Sequence, residues 1–369
     1  MQIGACRQAV PWAEANEFPF CILPFPFLLF VMVRLKDIAA RTGVSVMTVS
    51  KAMRDAKDVS ASTKARVQQI AKELGYMPDI AARGLRSRTS KLFGVVISSL
   101  VNPIYARILV AIEERAHELG YDVIFAHSLN QPEREADCIR RLLARRVDGL
   151  FISPVYRMEP IAPAYQQLLA QGTPTVILGH RAPFCSQFVS VETDDTAASV
   201  ALTQHLIELG HRRIAFFTGR SGAPWSVERM EGYRRALHQA NIEWDDKLIF
   251  PAGATIDEGE KAALQMISEA PQATAVQTVN DLIAIGAAEV FLKQGVKIPH
   301  DLSVTGFGNI LTSEHFRVPL TTVRQPKHRL GLAAMNAMQA LLRGERPETI
   351  RLPAEVIIRQ STAAPKADG

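Results

Sequence analysis

Cysteine is scarce in this sequence. Among 369 residues there are only four, Cys6, Cys21, Cys138 and Cys185, and they are widely scattered. No pair has the C-x-x-C spacing of a metal or redox motif, which argues against a zinc site and against a disulfide framework. Scattered free thiols fit a reducing compartment. We therefore predict a cytoplasmic protein with no metal site.

Sequence signatures of catalysis are missing as well. There is no glycine-rich phosphate loop, no nucleophile elbow and no cluster of metal-ligating residues. The ordinary composition, 47% hydrophobic and 21% charged, excludes disordered and fibrous classes. We predict two or three globular domains, no enzymatic activity and no cofactor.

Long apolar runs are rare, and one stands out: FPFCILPFPFLLFVMV, residues 18–33. It contains three prolines and is shorter than the roughly 20 residues of a membrane-spanning helix. Three interpretations are open: a mis-assigned start with translation beginning at Met32, a genuine tail, or an export signal. The first is favoured, because Arg7 is the only basic residue before the run and no clean cleavage site follows it.

Positive charge is concentrated in one segment. The net charge is +5, but residues 34–91 hold 13 Lys and Arg against 5 Asp and Glu, whereas residues 92–369 hold 28 against 30. This asymmetry predicts a segment that binds a polyanion, attached to a nearly neutral body.

The basic segment begins with LKDIAARTGVSVMTVSKAMR, residues 35–54, which predicts a helix, a tight turn at Gly43 and a second helix capped by Ser45. Val44, Val49 and Ala52 can pack on the first helix. The outward-facing side chains are Val46, Met47, Ser50, Lys51 and Arg54. This pattern favours a helix-turn-helix that offers its second helix to the DNA major groove; an ordinary surface hairpin is the alternative.

A third helix follows, with Val67, Ile70, Ala71 and Leu74 at helical spacing and its end at Gly75. Beyond Pro78, the segment IAARGLRSR predicts a short, marginal helix, because its central Gly84 costs about 1 kcal/mol relative to alanine.

From Lys91 onward, apolar strands alternate with amphipathic helices. A second series of this kind begins near Phe188, with FVSVE as its first strand. The fold class is therefore an all-α helix-turn-helix headpiece plus an α/β core of two doubly wound parallel-sheet subdomains. Ligands of such sheets bind outside the carboxyl ends of the strands, here in a cleft between the subdomains.

Several ordered motifs resemble the LacI/GalR family of bacterial transcription regulators. They are LKDIAARTGVSVMTVSKAM, VSASTKARVQQIAKELGYMPDIAARGLRS, NPIYARIL, HLIELGHRRIAFFTG, RMEGYRRAL, VNDLIAIGA and PLTTVRQP. The resemblance implies a headpiece, a hinge helix and a core resembling a periplasmic-binding-protein fold. It also implies a repressor of transcription whose affinity for operator DNA is controlled by a small effector, a sugar or sugar derivative.

The expected domains follow from these motifs. They are an apolar extension (1–33), the headpiece (34–78), the hinge helix and linker (79–91), the core (92–362) and a tail (363–369). Within the core, we expect an N-subdomain of about 92–191 and 321–344 and a C-subdomain of about 192–320 and 345–362. The tail contains no heptads, so we expect a homodimer on a pseudo-palindromic operator.

The resemblance assigns the DNA-contacting positions. Val46 and Met47 offer only apolar contact, for example to a thymine methyl, and Lys51 can donate to guanine. Thr48 and Ser50 suit phosphates. In the hinge helix, Leu85 is expected to enter the minor groove as an apolar wedge.

Three arginines of the hinge helix, Arg83, Arg86 and Arg88, are expected to contact the flanking phosphates. A flexible basic linker is the alternative interpretation of this segment.

For the effector, the resemblance points to Arg229 and Asp281, facing each other across the cleft, with Asn280 beside Asp281. Asp281 could instead cap the helix that follows it. On the other subdomain, Asn102 and Tyr105 follow the first strand; core packing is the alternative role for Tyr105.

The sequence departs from the family pattern in two places near the cleft. Gly179-His180-Arg181 follows the strand PTVIL, and Gly308-Asn309 follows LSVTGF, where acidic residues are common in the family. The change adds His180 to the expected site and favours an effector with an anionic group. An exported solute-binding protein is the alternative function, and the basic headpiece argues against it.

Overall fold

The computed structural model describes residues 33–77 and 89–366. The chain divides into two compact units, Met1–Asp79 and Ile80–Gly369. The predictions for residues 1–32 and for the hinge segment, including Arg83, Leu85 and Arg86, lie outside the described residues. Within the described ranges, no helix is long and apolar enough to cross a membrane.

In residues 33–77, the described part of the first unit, three helices surround a small apolar core. They are α1 (Leu35–Thr42), α2 (Val46–Ala52) and α3 (Ala61–Glu73). The predicted turn and cap are confirmed: Gly43 has a left-handed backbone with φ of 71°, and Ser45 Oγ accepts a hydrogen bond from the Thr48 amide. The core side chains are Ile38, Ala39, Val49, Ala52, Val67 and Ala71.

The second unit contains a six-stranded parallel sheet. Its strands are β1 (Leu92–Ile97), β2 (Asp122–His127), β3 (Gly149–Ile152), β4 (Thr175–Leu178), β5 (Val189–Thr193) and β11 (Ile350–Leu352). They lie in the order β11-β5-β4-β3-β1-β2. Helices α4 (Ile104–Glu118) and α12 (Lys327–Leu342) share one apolar cluster with the sheet, and α5 (Pro132–Ala144) and α6 (Pro163–Ala170) share another.

A second, four-stranded parallel sheet has the order β7-β6-β8-β9. Its strands are β6 (Ile214–Thr218), β7 (Ile249–Pro251), β8 (Ala275–Thr278) and β9 (Ser303–Thr305). The accompanying helices are α7 (Asp195–Glu208), α8 (Pro224–Gln239), α9 (Ile256–Glu269), α10 (Asp281–Lys293) and the short α11 (Leu311–His315). Helix α7 packs on α8 and α9 packs on α10.

A pair of antiparallel strands completes the second unit. These are β10 (Thr322–Arg324) and β12 (Glu355–Ile357). Two short 3-10 helices occur at Pro183–Cys185 and Asp246–Leu248.

Two strand assignments made from the sequence are wrong. Strand β5 was expected to open the second series, but it lies in the first sheet, with Val189 opposite Val176 of β4. Strand β11, expected in the C-subdomain, pairs with β5 in the same sheet. A short apolar strand carries no local signal for its neighbour, so its partner is decided by contacts that are distant in the sequence.

Candidate functional site

Helix α2 presents apolar side chains to solvent at its amino end. Val46 is 47% exposed and Met47 is 60% exposed. One and two turns further along, Lys51 is half-buried and Arg54 is exposed, with its Nε donating to the Ser50 carbonyl at 2.9 Å. The outward face predicted from the sequence is therefore the face that the three-helix unit leaves open.

The cation at the centre of this face has a partner that sequence reasoning missed. Lys51 Nζ lies 2.5 Å from Asp58 Oδ2, and this hydrogen bond lowers the pKa of Asp58. Both side chains are substantially exposed, so the pair contributes little to stability and Lys51 can exchange its carboxylate partner for another acceptor. Thr48 is engaged as well, because its hydroxyl lies 2.9 Å from Ser45 Oγ.

A cavity of about 210 Å³ lies in the second unit, where the carboxyl ends of strands from both sheets meet. Its wall includes Ser98 and Thr193 from the first sheet and Ala254 and Phe307 from the second. All the residues expected at the effector site line this cavity: Asn102, Tyr105, His180, Arg229, Asn280 and Asp281. Both sheets thus supply polar groups to one small space, as expected for a ligand site of this fold.

Arg229 forms a buried ion pair on the cavity wall. Its Nε and Nη2 lie 2.9 and 2.7 Å from Asp195 Oδ2, and its Nη1 donates to the Val279 carbonyl. The guanidinium lies 3.7 Å from the ring centre of Phe307 and 5.1 Å from that of Trp225. Burial raises the pKa of Asp195, and Arg229 opposes that rise.

The expected arrangement of Arg229 opposite Asp281 across the cleft is therefore wrong. Arg229 belongs to α8 and Asp281 to α10, and both helices accompany the second sheet. Because Asp195 begins α7, which packs on α8, it is the carboxylate that neutralises Arg229.

Asp281 has a different environment from the one expected. Its Oδ1 accepts from the Thr322 hydroxyl at 2.5 Å. Its Oδ2 accepts from the Ile310 amide at 2.9 Å and from the Ser313 hydroxyl at 2.7 Å. Burial raises the pKa of Asp281, and these donors oppose that rise. Both oxygens are engaged by the protein, so the carboxylate connects α10 to β10 and to the start of α11.

Asn280, not Asp281, caps α10, because its side-chain oxygen accepts from the Ile283 amide at 2.8 Å. At the first sheet, Asn102 Oδ1 accepts from the Ile104 amide at 3.2 Å. The Tyr105 hydroxyl accepts from Ser153 Oγ at 2.7 Å, so this half-buried tyrosine faces a polar group rather than the apolar core alone. These side chains are held in place by local hydrogen bonds at the cavity wall.

His180 is buried against the cavity, with its backbone carbonyl accepting from the Tyr156 hydroxyl at 2.8 Å. Its Nε2 lies 3.2 Å from Glu228 Oε2. Burial lowers the pKa of His180, but the neighbouring carboxylates of Glu228, Asp195 and Glu192 outweigh burial and raise it overall. His180 therefore lies among acidic groups and not in an anion-binding environment.

Three buried side-chain atoms on this wall make no hydrogen bond of good geometry among the described residues: His180 Nε2, whose nearest carboxylate is Glu228 at 3.2 Å, Asp195 Oδ1 and Gln325 Oε1. Buried polar atoms in proteins are nearly always paired. Their concentration around one cavity indicates a binding site for a polar molecule.

Sequence reasoning missed several residues of this wall. Asp195 had a signal that could have revealed it, because Asp194-Asp195 directly follows a strand, and Asn280-Asp281 comes one residue after one. Trp225 and Phe307 had no such signal, since an aromatic residue near a strand end is more often part of the core.

The two units together define a class of protein. A basic helix-turn-helix unit with an open second helix, in one chain with a two-sheet α/β core whose cavity is lined in part by polar groups, is a ligand-responsive regulator that binds DNA.

Comparisons with known proteins agree. Residues 34–79 match the model described as bacterial regulatory proteins, lacI family, and residues 203–362 match the periplasmic binding protein-like domain. The repressor PurR of Vibrio atlanticus is 32% identical over 313 residues, covering 84% of this chain and 91% of the relative. The regulator CelR of Thermobifida fusca is 32% identical over 335 residues, covering 89% and 97%.

Among solved structures, the lac repressor dimer bound to operator and the anti-inducer ONPF has a TM-score of 0.80 at 28% identity, covering 90% of this chain and all of that one. The chain belongs to the LacI family of bacterial regulatory proteins. It is a DNA-binding regulator of transcription controlled by a small-molecule effector, which confirms the predicted fold class and function.

Proposed function

We propose that this chain represses transcription in the cytoplasm, as a homodimer that binds a pseudo-palindromic operator. We also propose that the effector is a sugar or sugar derivative bound in the cavity. The observation that carries the effector proposal is the set of buried, unpartnered polar atoms on the cavity wall. The dimer is supported by the operator-bound lac repressor dimer, since two headpieces read the two half-sites of a palindrome.

The cavity chemistry favours a ligand rich in hydroxyl groups. Asp195 Oδ1 and Gln325 Oε1 are acceptors that require donors. Arg229 uses three of the five N–H groups of a guanidinium within the protein, which leaves donors for ligand oxygens. Hydroxyl groups both donate and accept, and Trp225, which lines the cavity, can cover the apolar side of a sugar ring.

The neighbours of His180 change one expectation. The sequence favoured an effector with an anionic group, but the wall near His180 carries the carboxylates of Glu192 and Asp195. A neutral, hydroxyl-rich ring matches this part of the cavity better. CelR, which is similar to this chain, has been solved as a complex with the sugar cellobiose.

For the operator, we propose that Val46, Met47 and Lys51 contact bases. Thr48, Ser50 and Arg54 would contact phosphates, and Leu85 with Arg83 and Arg86 would contact the minor groove and its flanks. Effector binding in the cavity would shift the populations of two arrangements of the core that differ in operator affinity.

The DNA-binding part is tested by selecting binding sites for the purified full chain from a random DNA pool. We expect a pseudo-palindrome. Lys51→Ala should relax the preference at one base position in each half-site, at a cost of about 1–3 kcal/mol on the preferred base. Equal loss of affinity on all sequences would show that Lys51 contacts a phosphate instead.

The effector part is tested by a thermal-shift screen of the full chain with sugars, sugar acids, sugar phosphates and purines, since a ligand of the native state raises its stability. We expect the largest shift from a sugar. Asp195→Asn should abolish that shift, whereas the exposed control Asp257→Asn should keep it. A purine as the single stabilising compound would contradict the sugar assignment and leave the regulator assignment intact.

Cell fractionation tests the compartment. Recovery of the chain in the periplasm would contradict its proposed action on DNA in the cytoplasm and support an exported solute-binding protein.

A further inference from the structure

Three potential metal ligands meet beside the cavity. His180 follows β4, Glu192 lies in β5 and Glu228 lies on α8. One ligand atom from each, the imidazole nitrogen and a carboxylate oxygen of each glutamate, lies within 4.8 Å of the other two. His180 and Glu192 belong to the first sheet and the loop after it, whereas Glu228 lies on a helix that accompanies the second sheet. The tertiary fold therefore brings the three residues together.

The imidazole is aimed into this cluster. His180 is only 6% exposed, and its Nε2 has no hydrogen-bond partner of proper geometry within the described part of the chain, although Glu228 Oε2 is 3.2 Å away. The bond from Tyr156 to the His180 carbonyl fixes the backbone at this point. A buried imidazole nitrogen within 4.8 Å of two carboxylate oxygens is placed where a metal ligand can be.

The cluster keeps a net negative charge even with Arg351 beside it, which favours a cation. Two carboxylates and a neutral imidazole balance a charge of +2. Arg351 supplies a single charge to the same carboxylates: its Nε lies 3.5 Å from Glu192 Oε1 and its Nη2 bonds Glu228. Each carboxylate has two oxygens, and Arg351 is 41% exposed. It can therefore move to the outer oxygens, as the outer-shell partners of metal-bound carboxylates commonly do.

We propose that His180, Glu192 and Glu228 bind a divalent transition-metal ion, Zn²⁺ or an ion of similar preference. One imidazole and two carboxylates are ligands that Zn²⁺ accepts, and three protein ligands leave a coordination position open. His180 and Glu192 line the cavity, so this open position faces the space assigned to the effector. The ion would also join residues of the first sheet to α8, and so favour one arrangement of the core. The site does not depend on the identity of the effector.

The test is calorimetric titration of the full chain with Zn²⁺ after treatment with EDTA and dialysis, with Co²⁺ absorption as a second readout of the coordinated ligands. We expect one tight site per chain. His180→Ala and Glu228→Gln should each weaken Zn²⁺ binding at least tenfold and change the Co²⁺ spectrum.

Matched control variants lie on the same helix. His238 is exposed on α8, and Glu231 forms ion pairs with Arg234 and Arg235 of that helix. His238→Ala and Glu231→Gln should bind Zn²⁺ as the unchanged chain does. Melting temperatures without metal identify any variant that fails to fold, and Glu192→Gln provides a further ligand variant in that case.

Two results would overturn the proposal. Equal Zn²⁺ affinity in the unchanged chain and in the ligand variants would show adventitious binding elsewhere. Absence of Zn²⁺ binding would show that the cluster is an ion-pair network completed by Arg351. Operator binding by the EDTA-treated chain is measured in parallel, so failure of the metal site is distinguishable from failure of the regulator function.

Discussion

At the scale of single residues, buried charges are the groups whose behaviour the fold changes most. Lys327, at the start of α12, donates from Nζ to the carbonyls of Gly308 at 2.5 Å and Asn309 at 2.9 Å. Burial lowers its pKa to about 8, and Asp281 opposes that change. The lysine therefore joins α12 to the loop after β9, which also lines the cavity.

The lowered pKa of Lys327 leads us to expect that the stability of the fold depends on pH. Between about pH 8 and the usual lysine pKa of about 10.4, the unfolded chain holds a proton on Lys327 that the folded chain has lost. Because the unfolded state binds more protons, this group's contribution to the free energy of unfolding rises with pH in that window, by up to about 3 kcal/mol. Urea unfolding of the unchanged chain and of Lys327→Met, between pH 7.5 and 10, should show the difference. If the free energies of unfolding of the two proteins changed with pH in parallel, the lowered pKa of Lys327 would be contradicted.

The hydrogen bonds that Asp281 accepts are expected to contribute to the stability of the core. Asp281→Ala leaves the Thr322 and Ser313 hydroxyls and the Ile310 amide without their acceptor. We expect a loss of about 2–4 kcal/mol in the free energy of unfolding of the core, in addition to any effect on the effector. Denaturant unfolding measures it, with exposed Glu243→Ala as the control. A loss equal to that of the control would show that these bonds contribute little.

At the scale of elements, helix α9 and helix α10 approach each other unusually closely. A Cβ on Gly286 would lie 2.1 Å from the Ile256 carbonyl oxygen, and one on Gly259 would lie 2.4 Å from that of Ile283. Backbone carbonyls cannot move aside as flexible side chains can. Glycine at these two positions is therefore required by the contact between the helices.

Gly286→Ala tests this contact. Alanine normally favours a helix by about 1 kcal/mol over glycine. Here we expect the opposite sign, a destabilisation of about 1–3 kcal/mol, because the helices must separate. Thermal unfolding measures the change, with Lys261→Ala on the exposed face of α9 as the control. Stabilisation by Gly286→Ala would contradict the close approach.

At the scale of the whole molecule, the helix-turn-helix and the cavity belong to separate compact units. The excess positive charge lies in residues 34–91, and the described residues that line the cavity belong to the second unit. Each of the two features thus has its own apolar core.

Separation of the units is testable by truncation. A chain beginning at residue 89 should bind the effector found in the screen with unchanged affinity, because every residue of the cavity wall is retained. It should not bind the operator, since the basic helix-turn-helix is absent. Calorimetry and fluorescence anisotropy measure the two affinities. A large loss of effector affinity would show that the first unit contributes to the cavity.

The sequence by itself determined the local features of this protein. Gly43 and Ser45 define the turn and cap of the headpiece, the positions of Val67 and Ala71 predict α3, and the apolar runs predict most strands of both sheets. These signals depend on only a few neighbouring residues, so the local structure they predict does not depend on distant contacts. The location of a cavity at the carboxyl ends of the strands also followed from the alternation of strands and helices.

Only the tertiary structure decided which distant residues meet. It placed β5 and β11 in the first sheet, gave Arg229 the carboxylate of Asp195 as its partner, and engaged both oxygens of Asp281. It also brought His180 to Glu228. Ion pairing and strand pairing depend on distances between groups that are far apart in the chain. No periodicity or cap in the sequence records those distances, because packing of the completed core sets them.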